Sequence, residues 1–137
     1  MLHKKLHQLE NYAKEEKWEE VDELIPKICK TKDVKIFYWA LGKLLSNNGN
    51  VRDLGCSILE KYPTKRLSQD DFMRVRQQLA KIMKKDKNPY ARFRASFALM
   101  NHGGPGKYRE ILIKTLEEAE KDPDVSQLTK HYLSKLS

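Results

Sequence analysis

Apolar residues recur along almost the whole chain at the spacing of an amphipathic helix. No stretch keeps the strict alternation of apolar and polar positions that a half-buried strand requires. The pattern therefore predicts an all-α protein of about eight helices, joined by short connections and packed as antiparallel neighbours. The apolar stripes of these helices begin at Leu2, Trp18, Val34, Val51, Phe72, Ala91, Tyr108 and Val125.

Polar residues mark three of the predicted helix starts. Asp33 lies at the position that caps the third helix. Ser68 lies at the position that caps the fifth helix, and it is followed three residues later by Asp71. Asn88 precedes Pro89, and proline is favoured at the first position of a helix. The sixth helix is therefore predicted to begin at this pair.

Two prolines are predicted to interrupt helices. Pro63 follows the fourth helix, predicted over 51–62, and explains its end because the residue before a proline avoids the helical conformation. Pro26 lies inside the apolar stripe of the second helix. It should kink or divide that helix, because a proline has no N–H to donate to the carbonyl four residues earlier.

The sixth helix carries apolar residues on two sides, with Ala95 and Ala98 on one and Phe93 and Phe97 on the other. This pattern predicts that the helix is buried between its neighbours. Glycines follow at 103 and 104, and a left-handed glycine is the favoured cap for such a helix end.

Three helices begin with related tripeptides, which are Asn50-Val51-Arg52, Tyr90-Ala91-Arg92 and Asp124-Val125-Ser126. They align without gaps, at spacings of 40 and 34 residues. A period of this size with two helices per unit indicates an α-solenoid, in which each unit is buried against the next.

With these motifs the chain resembles the HEAT-repeat and HEAT-like proteins. Their repeats have a first helix with an apolar-Pro step, then Asp, then Val-Arg opening a second helix with an Ala-Leu-Gly step. Segments 24–42, 86–103 and 121–133 match this outline, and the resemblance covers most of residues 17–136. It implies one domain over 1–137, a short right-handed α-α superhelix. How the helices pair within 34–62 is left open, because Val51 follows Val34 by only half a repeat.

The resemblance also implies a ladder of hydrogen bonds between Asp and Arg of neighbouring repeats. In this chain the ladder would join Asp86 to Arg92 and Asp33 to Arg52. Its role would be structural.

Charge is distributed unevenly along the sequence. The chain has 27 Lys and Arg against 19 Asp and Glu, a formal charge of +8. Segment 61–94 holds eleven of these cations and three of the acids, so it accounts for the whole excess. The residues predicted to bind an anionic partner are Arg74, Arg76, Lys81, Lys84, Lys85, Arg92 and Arg94.

Several partners fit this basic region: an acidic protein segment, a phosphate backbone or an acidic membrane surface. The alternative is that this region binds no partner and its cations only form a solvated helix face. Only Tyr62 and Tyr90 could stack on bases, and no motif that reads a nucleic-acid sequence is present.

No catalytic set can be assembled from the sequence. His3 and His7 have the i, i+4 spacing of a metal pair, but they lack a third ligand and a solvated face is the preferred interpretation. His102 adjoins glycines whose backbone amides could hold an anion. The preferred interpretation is that these glycines cap the sixth helix. We expect neither an enzyme nor a cofactor or metal site. Alkylpurine DNA glycosylases and bilin lyases in the wider HEAT-like group show that such a fold does not exclude catalysis.

The two cysteines form no CxxC motif, and Cys29 and Cys56 both lie among apolar neighbours. They are predicted to be buried thiols in a reducing, cytoplasmic protein. The longest apolar run is far shorter than the roughly 20 residues that span a bilayer, so no membrane insertion is expected.

The sequence thus predicts a non-catalytic HEAT-like scaffold that binds another protein, one with an acidic surface. Sequence-nonspecific binding of nucleic acid through residues 61–94 is the alternative. No small-molecule substrate is evident.

Overall fold

The computed structural model describes residues 1–136, and Arg66 by its backbone only. Eight α-helices and two short 3-10 turns make up this part of the chain, which contains no strand. The all-helical prediction is confirmed. The helices are α1 (Leu2–Lys14), α2 (Trp18–Cys29), α3 (Val34–Lys43), α4 (Gly49–Lys61), α5 (Gln69–Lys85), α6 (Pro89–Asn101), α7 (Arg109–Glu120) and α8 (Ser126–Ser134).

The three predicted helix caps are confirmed. Asp33 accepts a hydrogen bond from the backbone of Lys35 at 2.9 Å, and Ser68 accepts one from Asp71 at 3.1 Å. Asn88 caps α6 in the same way. The sequence missed a fourth cap, because Asn48 was placed in a turn. Its side chain accepts hydrogen bonds from the backbone N–H groups of Asn50 and Val51. Helix α4 therefore starts two residues earlier than predicted.

Of the two outcomes predicted for Pro26, a kink or a division of the second helix, the division does not occur. Helix α2 runs through Pro26 to Cys29, and the carbonyl of Pro26 itself accepts a bond from the N–H of Lys30 at 3.0 Å. The proline lies in the last turn of α2. It removes only one backbone hydrogen bond, close to the helix end, and the helix continues through it.

Helix α6 lies at the centre of the fold. It packs most extensively against α4, and it also contacts α5, α7 and α8. Ala95, Ala98 and Phe97 are fully buried and Phe93 is nearly so, which confirms the burial of both apolar sides.

The pairing of helices left open by the sequence is settled for α3 and α4, which pack against each other. They approach closely at Gly55. A Cβ at that position would lie 2.9 Å from the carbonyl oxygen of Ala40, so only glycine fits there without a shift of backbone.

The turn after α6 is held by a glycine and an arginine. Gly103 has a φ of +93°, the left-handed conformation predicted for the cap, and the N–H of Gly104 returns to the carbonyl of Leu99. The guanidinium of Arg76 in α5 donates to the carbonyls of His102 and Gly104. It thereby satisfies carbonyls that the end of α6 leaves without a helical partner.

The predicted Asp–Arg ladder has different members. Asp86 accepts two hydrogen bonds from Arg52, at 2.6 and 2.9 Å, and not from the side chain of Arg92. Arg92 donates to the backbone carbonyl of Asp86 and to the carboxylate of Glu118. Asp33 is not paired with Arg52, because its carboxylate caps α3.

The same contacts recur 40 residues apart. Arg52 lies four residues after the cap of α4 and donates to the carbonyl of Ser46, as Arg92 lies four residues after the cap of α6 and donates to that of Asp86. Each arginine also reaches a carboxylate further along the chain. The two helix openings are therefore alike in structure as well as in sequence.

Cys29 and Cys56 are buried free thiols, as predicted. Burial raises the pKa of Cys29 to about 11 and that of Cys56 well above its usual value. Among the helices of residues 1–136, none combines the length and the apolar character needed to cross a membrane.

Candidate functional site

The exposed side of α5 carries a row of cations. Arg74, Lys81, Lys84 and Lys85 all lie on it, and Lys87 follows just after the helix. We call these five residues the basic surface. The opposite side of α5 buries Val75, Leu79, Ala80, Ile82 and Met83, which fixes the direction in which the cations point.

The cations of the basic surface are not paired with carboxylates in the described part of the chain. Within the described part of the chain, none of the five forms an ion pair at 4.0 Å or less. The two acids of α5, Asp70 and Asp71, lie in its first turn, and Asp71 accepts a hydrogen bond of 2.5 Å from the hydroxyl of Tyr38. The cations of this surface are therefore free to pair with the carboxylates of a partner.

The other three cations predicted to bind a partner are engaged inside the molecule. Arg76 holds the turn after α6 and stacks beside the rings of Phe72 and Tyr108. Arg92 is paired with Glu118 at 2.7 Å. The Nε atom of Arg94 lies 3.7 Å from Oδ1 of Asp53. The structure thus brings four of the seven predicted residues together on one surface.

Two depressions flank the basic surface. One, of about 390 Å³, lies between the end of α3 and the end of α5. Its lining includes Leu45, three lysines (Lys81, Lys85 and Lys87) and the ion pair of Arg52 with Asp86. Leu45 is 73% exposed, the most exposed large apolar side chain after Met1 among the described residues. An apolar side chain ringed by lysines is thus available to a partner.

The second depression, of about 370 Å³, lies between α5 and α7. It gathers Lys84 with Lys107 and Lys114, while Glu110 is the one acid in its lining. The sequence analysis missed Leu45, Lys107 and Lys114. Lys107 and Lys114 lie outside the segment of excess charge, and only the packing of α7 beside α5 brings them near.

A cleft of about 330 Å³ lies away from the basic surface, beside α2, α4 and α6. Trp18 and Tyr90 supply aromatic side chains, and four carboxylates face one guanidinium. We call it the acidic cleft. Its lining residues are Glu16, Trp18, Asp22, Asn50, Asp53, Ser57, Tyr90, Arg94, Asp124 and Val125.

Asp53 is the buried carboxylate of the acidic cleft. Its side chain is 8% exposed, and its contacts within the molecule are long. Oδ1 lies 3.4 Å from the hydroxyl of Ser57 and 3.7 Å from Nε of Arg94. Burial raises the pKa of Asp53 to about 6, although Arg94 and Ser57 oppose the shift.

Tyr90, on the cleft wall, is held by acids near the start of α8. Its hydroxyl donates to Asp122 at 2.9 Å and lies 3.3 Å from Asp124. These bonds raise the pKa of Tyr90 to about 12, so the phenol stays protonated and the ring is fixed in place.

The histidines do not converge on either site. His102 is fully buried, and its Nε2 lies 2.6 Å from the carbonyl oxygen of Leu59, so a neutral ring donates there. Burial lowers the pKa of His102. His3, His7 and His131 are exposed, and across residues 1–136 no three His, Cys, Asp or Glu side chains are grouped to hold a metal ion.

Comparisons of the chain with family models, with curated proteins and with solved structures found no match. The basic surface and the acidic cleft are therefore the features of the molecule that indicate what it binds.

Proposed function

We propose that this protein is a non-catalytic, HEAT-like binding scaffold whose basic surface holds an acidic segment of another protein. The observation that carries the proposal is the row of exposed cations on α5 that form no ion pair among the described residues, whereas Arg52, Arg92 and Arg94 are each paired with a carboxylate. Unpaired like charges on one side of a helix repel each other, and an anionic partner relieves that repulsion.

The HEAT-like part of the proposal is supported by the repeated helix openings. Arg52 and Arg92 make the same contact with a preceding carbonyl, 40 residues apart, and each bonds a later carboxylate. A short stack of helical pairs, turning as a right-handed superhelix, would use this ladder to fix one unit against the next.

Leu45 favours a protein partner over nucleic acid. It is the exposed apolar residue at the depression that Lys81, Lys85 and Lys87 border. A peptide with acidic residues around one apolar side chain matches this arrangement, since the apolar group gains from leaving water while the acids meet the lysines. A phosphate backbone has nothing to place on Leu45.

The test is a binding titration, by fluorescence anisotropy, with a short labelled peptide of Asp and Glu around a single Leu. The variant Arg74→Ala/Lys81→Ala/Lys85→Ala removes three charges from the basic surface. The matched control Lys5→Ala/Lys35→Ala/Lys130→Ala removes three charges from exposed positions on other helices. Both keep the helices intact, because alanine is the strongest helix former.

We expect the basic-surface variant to bind the peptide about tenfold more weakly or worse, and the control variant to lose about twofold or less. Equal losses in both variants would mean that net charge alone attracts the peptide, and would contradict the proposal.

Single-stranded and duplex DNA and RNA belong in the same titration. If they bind more tightly than the peptide, with log K falling by about 3 to 4 per unit of log salt and little dependence on sequence, the alternative of nonspecific nucleic-acid binding replaces the proposal.

A further inference from the structure

The acidic cleft has a charge opposite to that of the whole chain. Four carboxylates and one guanidinium line it, in a protein whose formal charge is +8. It shares no residue with the basic surface, so what it binds is a separate question from the proposed function. An anion is repelled by this lining, whereas a cation is attracted.

Asp53 has unused capacity for hydrogen bonds. A carboxylate can accept about four, yet among the described residues its contacts are the two long ones to Oδ1, and Oδ2 has no partner. A charged group that is more than nine-tenths buried ordinarily has close partners. Oδ2 keeps some exposure to solvent in the cleft, so it can accept a hydrogen bond from a bound donor.

The walls beside Asp53 are aromatic. Trp18 opens α2 and Tyr90 opens α6, and both line the cleft. The hydroxyl of Tyr90 donates to Asp122 and is not available to a ligand. A ligand in the cleft can therefore contact the ring of Tyr90 and the ring of Trp18. Aromatic faces attract cations, and a planar guanidinium can stack on them while it donates in the ring plane to a carboxylate.

We propose that the acidic cleft binds a guanidinium group, with Asp53 as its carboxylate partner and Trp18 or Tyr90 as its stacking surface. Asp22, which is exposed at the mouth of the cleft, adds a second carboxylate for the approach of the cation. A guanidinium can come from an arginine side chain of another protein or from a small free compound, and both present the same donors.

The experiment is an NMR titration of the folded protein with N-acetyl-arginine amide, following the amides of Asn50 and Ser57 and the indole N–H of Trp18. We expect saturable shifts at these positions. In Asp53→Asn the affinity should fall about tenfold or more, because a charge-assisted bond is lost. Glu117→Gln, which removes one charge from an exposed position on α7, should change it less than about twofold.

Asp22→Asn is a second variant that carries no risk to folding, since Asp22 is exposed, and it should weaken binding by about threefold. N-acetyl-lysine amide, a cation without the planar group, should bind more weakly than the arginine compound. A short peptide with one internal arginine identifies the source. Tighter binding than that of the amide indicates a protein ligand, and equal binding indicates a small free one.

Three results would overturn the proposal. They are the absence of saturable shifts in the cleft, an affinity unchanged in Asp53→Asn, and equal binding of the lysine and arginine compounds. None of these depends on the acidic-peptide titration, so the two proposals can fail separately.

Discussion

The charges of the basic surface are exposed to solvent, whereas the central charge of the acidic cleft is buried. The cations of the basic surface are exposed and form no ion pairs among the described residues, so each keeps its hydration and costs the fold almost nothing. Asp53 is buried in the cleft with contacts of 3.4 and 3.7 Å, and its pKa is raised to about 6 as a result.

The difference shows which charges depend on the fold. The cations of α5 follow one another at helical spacing and would share one side of any helix with this sequence, whereas a buried carboxylate exists only because α2, α4 and α6 surround it. A group that is kept buried at a cost in stability, with a perturbed pKa and in a cleft, is a sign of a functional site. The net charge of +8 conceals this site entirely.

The largest effect on stability is expected at a third kind of charge, the paired arginine. Arg52→Ala leaves the carboxylate of Asp86, which is 4% exposed, without the two bonds it accepts from Arg52 and with only the one from the N–H of Asn88. Those bonds hold the pKa of Asp86 below its usual value against the effect of burial. We expect a loss of about 3 kcal/mol in the free energy of unfolding, measured in urea.

Arg74→Ala is the control for this comparison, because it removes an arginine from the basic surface. It should change the free energy of unfolding by about 0.5 kcal/mol or less. Similar losses in the two variants would show that the cations of α5 are held by the fold, and the contrast drawn above would fail.

The second effect has the opposite sign. Asp53→Asn should raise the free energy of unfolding near pH 8 by about 1 to 2 kcal/mol, because the neutral amide avoids burying a charge. The pKa of Asp53 is raised from 3.8 to about 6 by folding, so the folded protein takes up the proton first as the pH falls. The advantage of the variant should therefore shrink between pH 6 and pH 4.

Thermal or urea unfolding of both proteins across this range gives the measurement. His102, whose pKa folding lowers, destabilises the protein as the pH falls below its ordinary value of 6.5, but it does so equally in both and cancels in the difference. A difference that stays constant with pH would mean that Asp53 is not the buried carboxylate described here.

The smallest effect concerns the apolar part of the basic surface. Leu45→Ala should weaken binding of the acidic peptide by about three- to tenfold, which corresponds to the loss of one well-packed apolar contact. Stability should hardly change, because Leu45 is 73% exposed. Met73→Ala, at a residue of α5 that is 49% exposed and outside this depression, serves as the control and should leave binding unaltered.

Much of the local structure could be predicted from the sequence because its signals are local. Caps at Asp33, Ser68 and Asn88, the buried sides of α6 and the left-handed Gly103 all follow from the residues at those positions. The division of α2 at Pro26, one of the two outcomes expected there, does not occur because the proline lies in the last helical turn.

Contacts between distant residues could not be predicted in this way. The resemblance to HEAT repeats implied that Asp86 pairs with Arg92, but the carboxylate meets Arg52, 34 residues earlier. Asp53 carried no signal either, since a carboxylate in a helix is ordinarily exposed. The basic surface was found because exposed charges follow helix geometry, while Leu45 and Lys107 needed the tertiary structure.

The most direct measurement is an NMR footprint of the acidic peptide on the folded protein. The account predicts shifts that cluster on α5 and around Leu45, with the acidic cleft unaffected, and their loss in the Arg74/Lys81/Lys85 triple alanine variant but not in the Lys5/Lys35/Lys130 control. Shifts scattered over all exposed lysines, or a footprint that persists in the triple variant, would contradict the claim that the exposed side of α5 is the binding site.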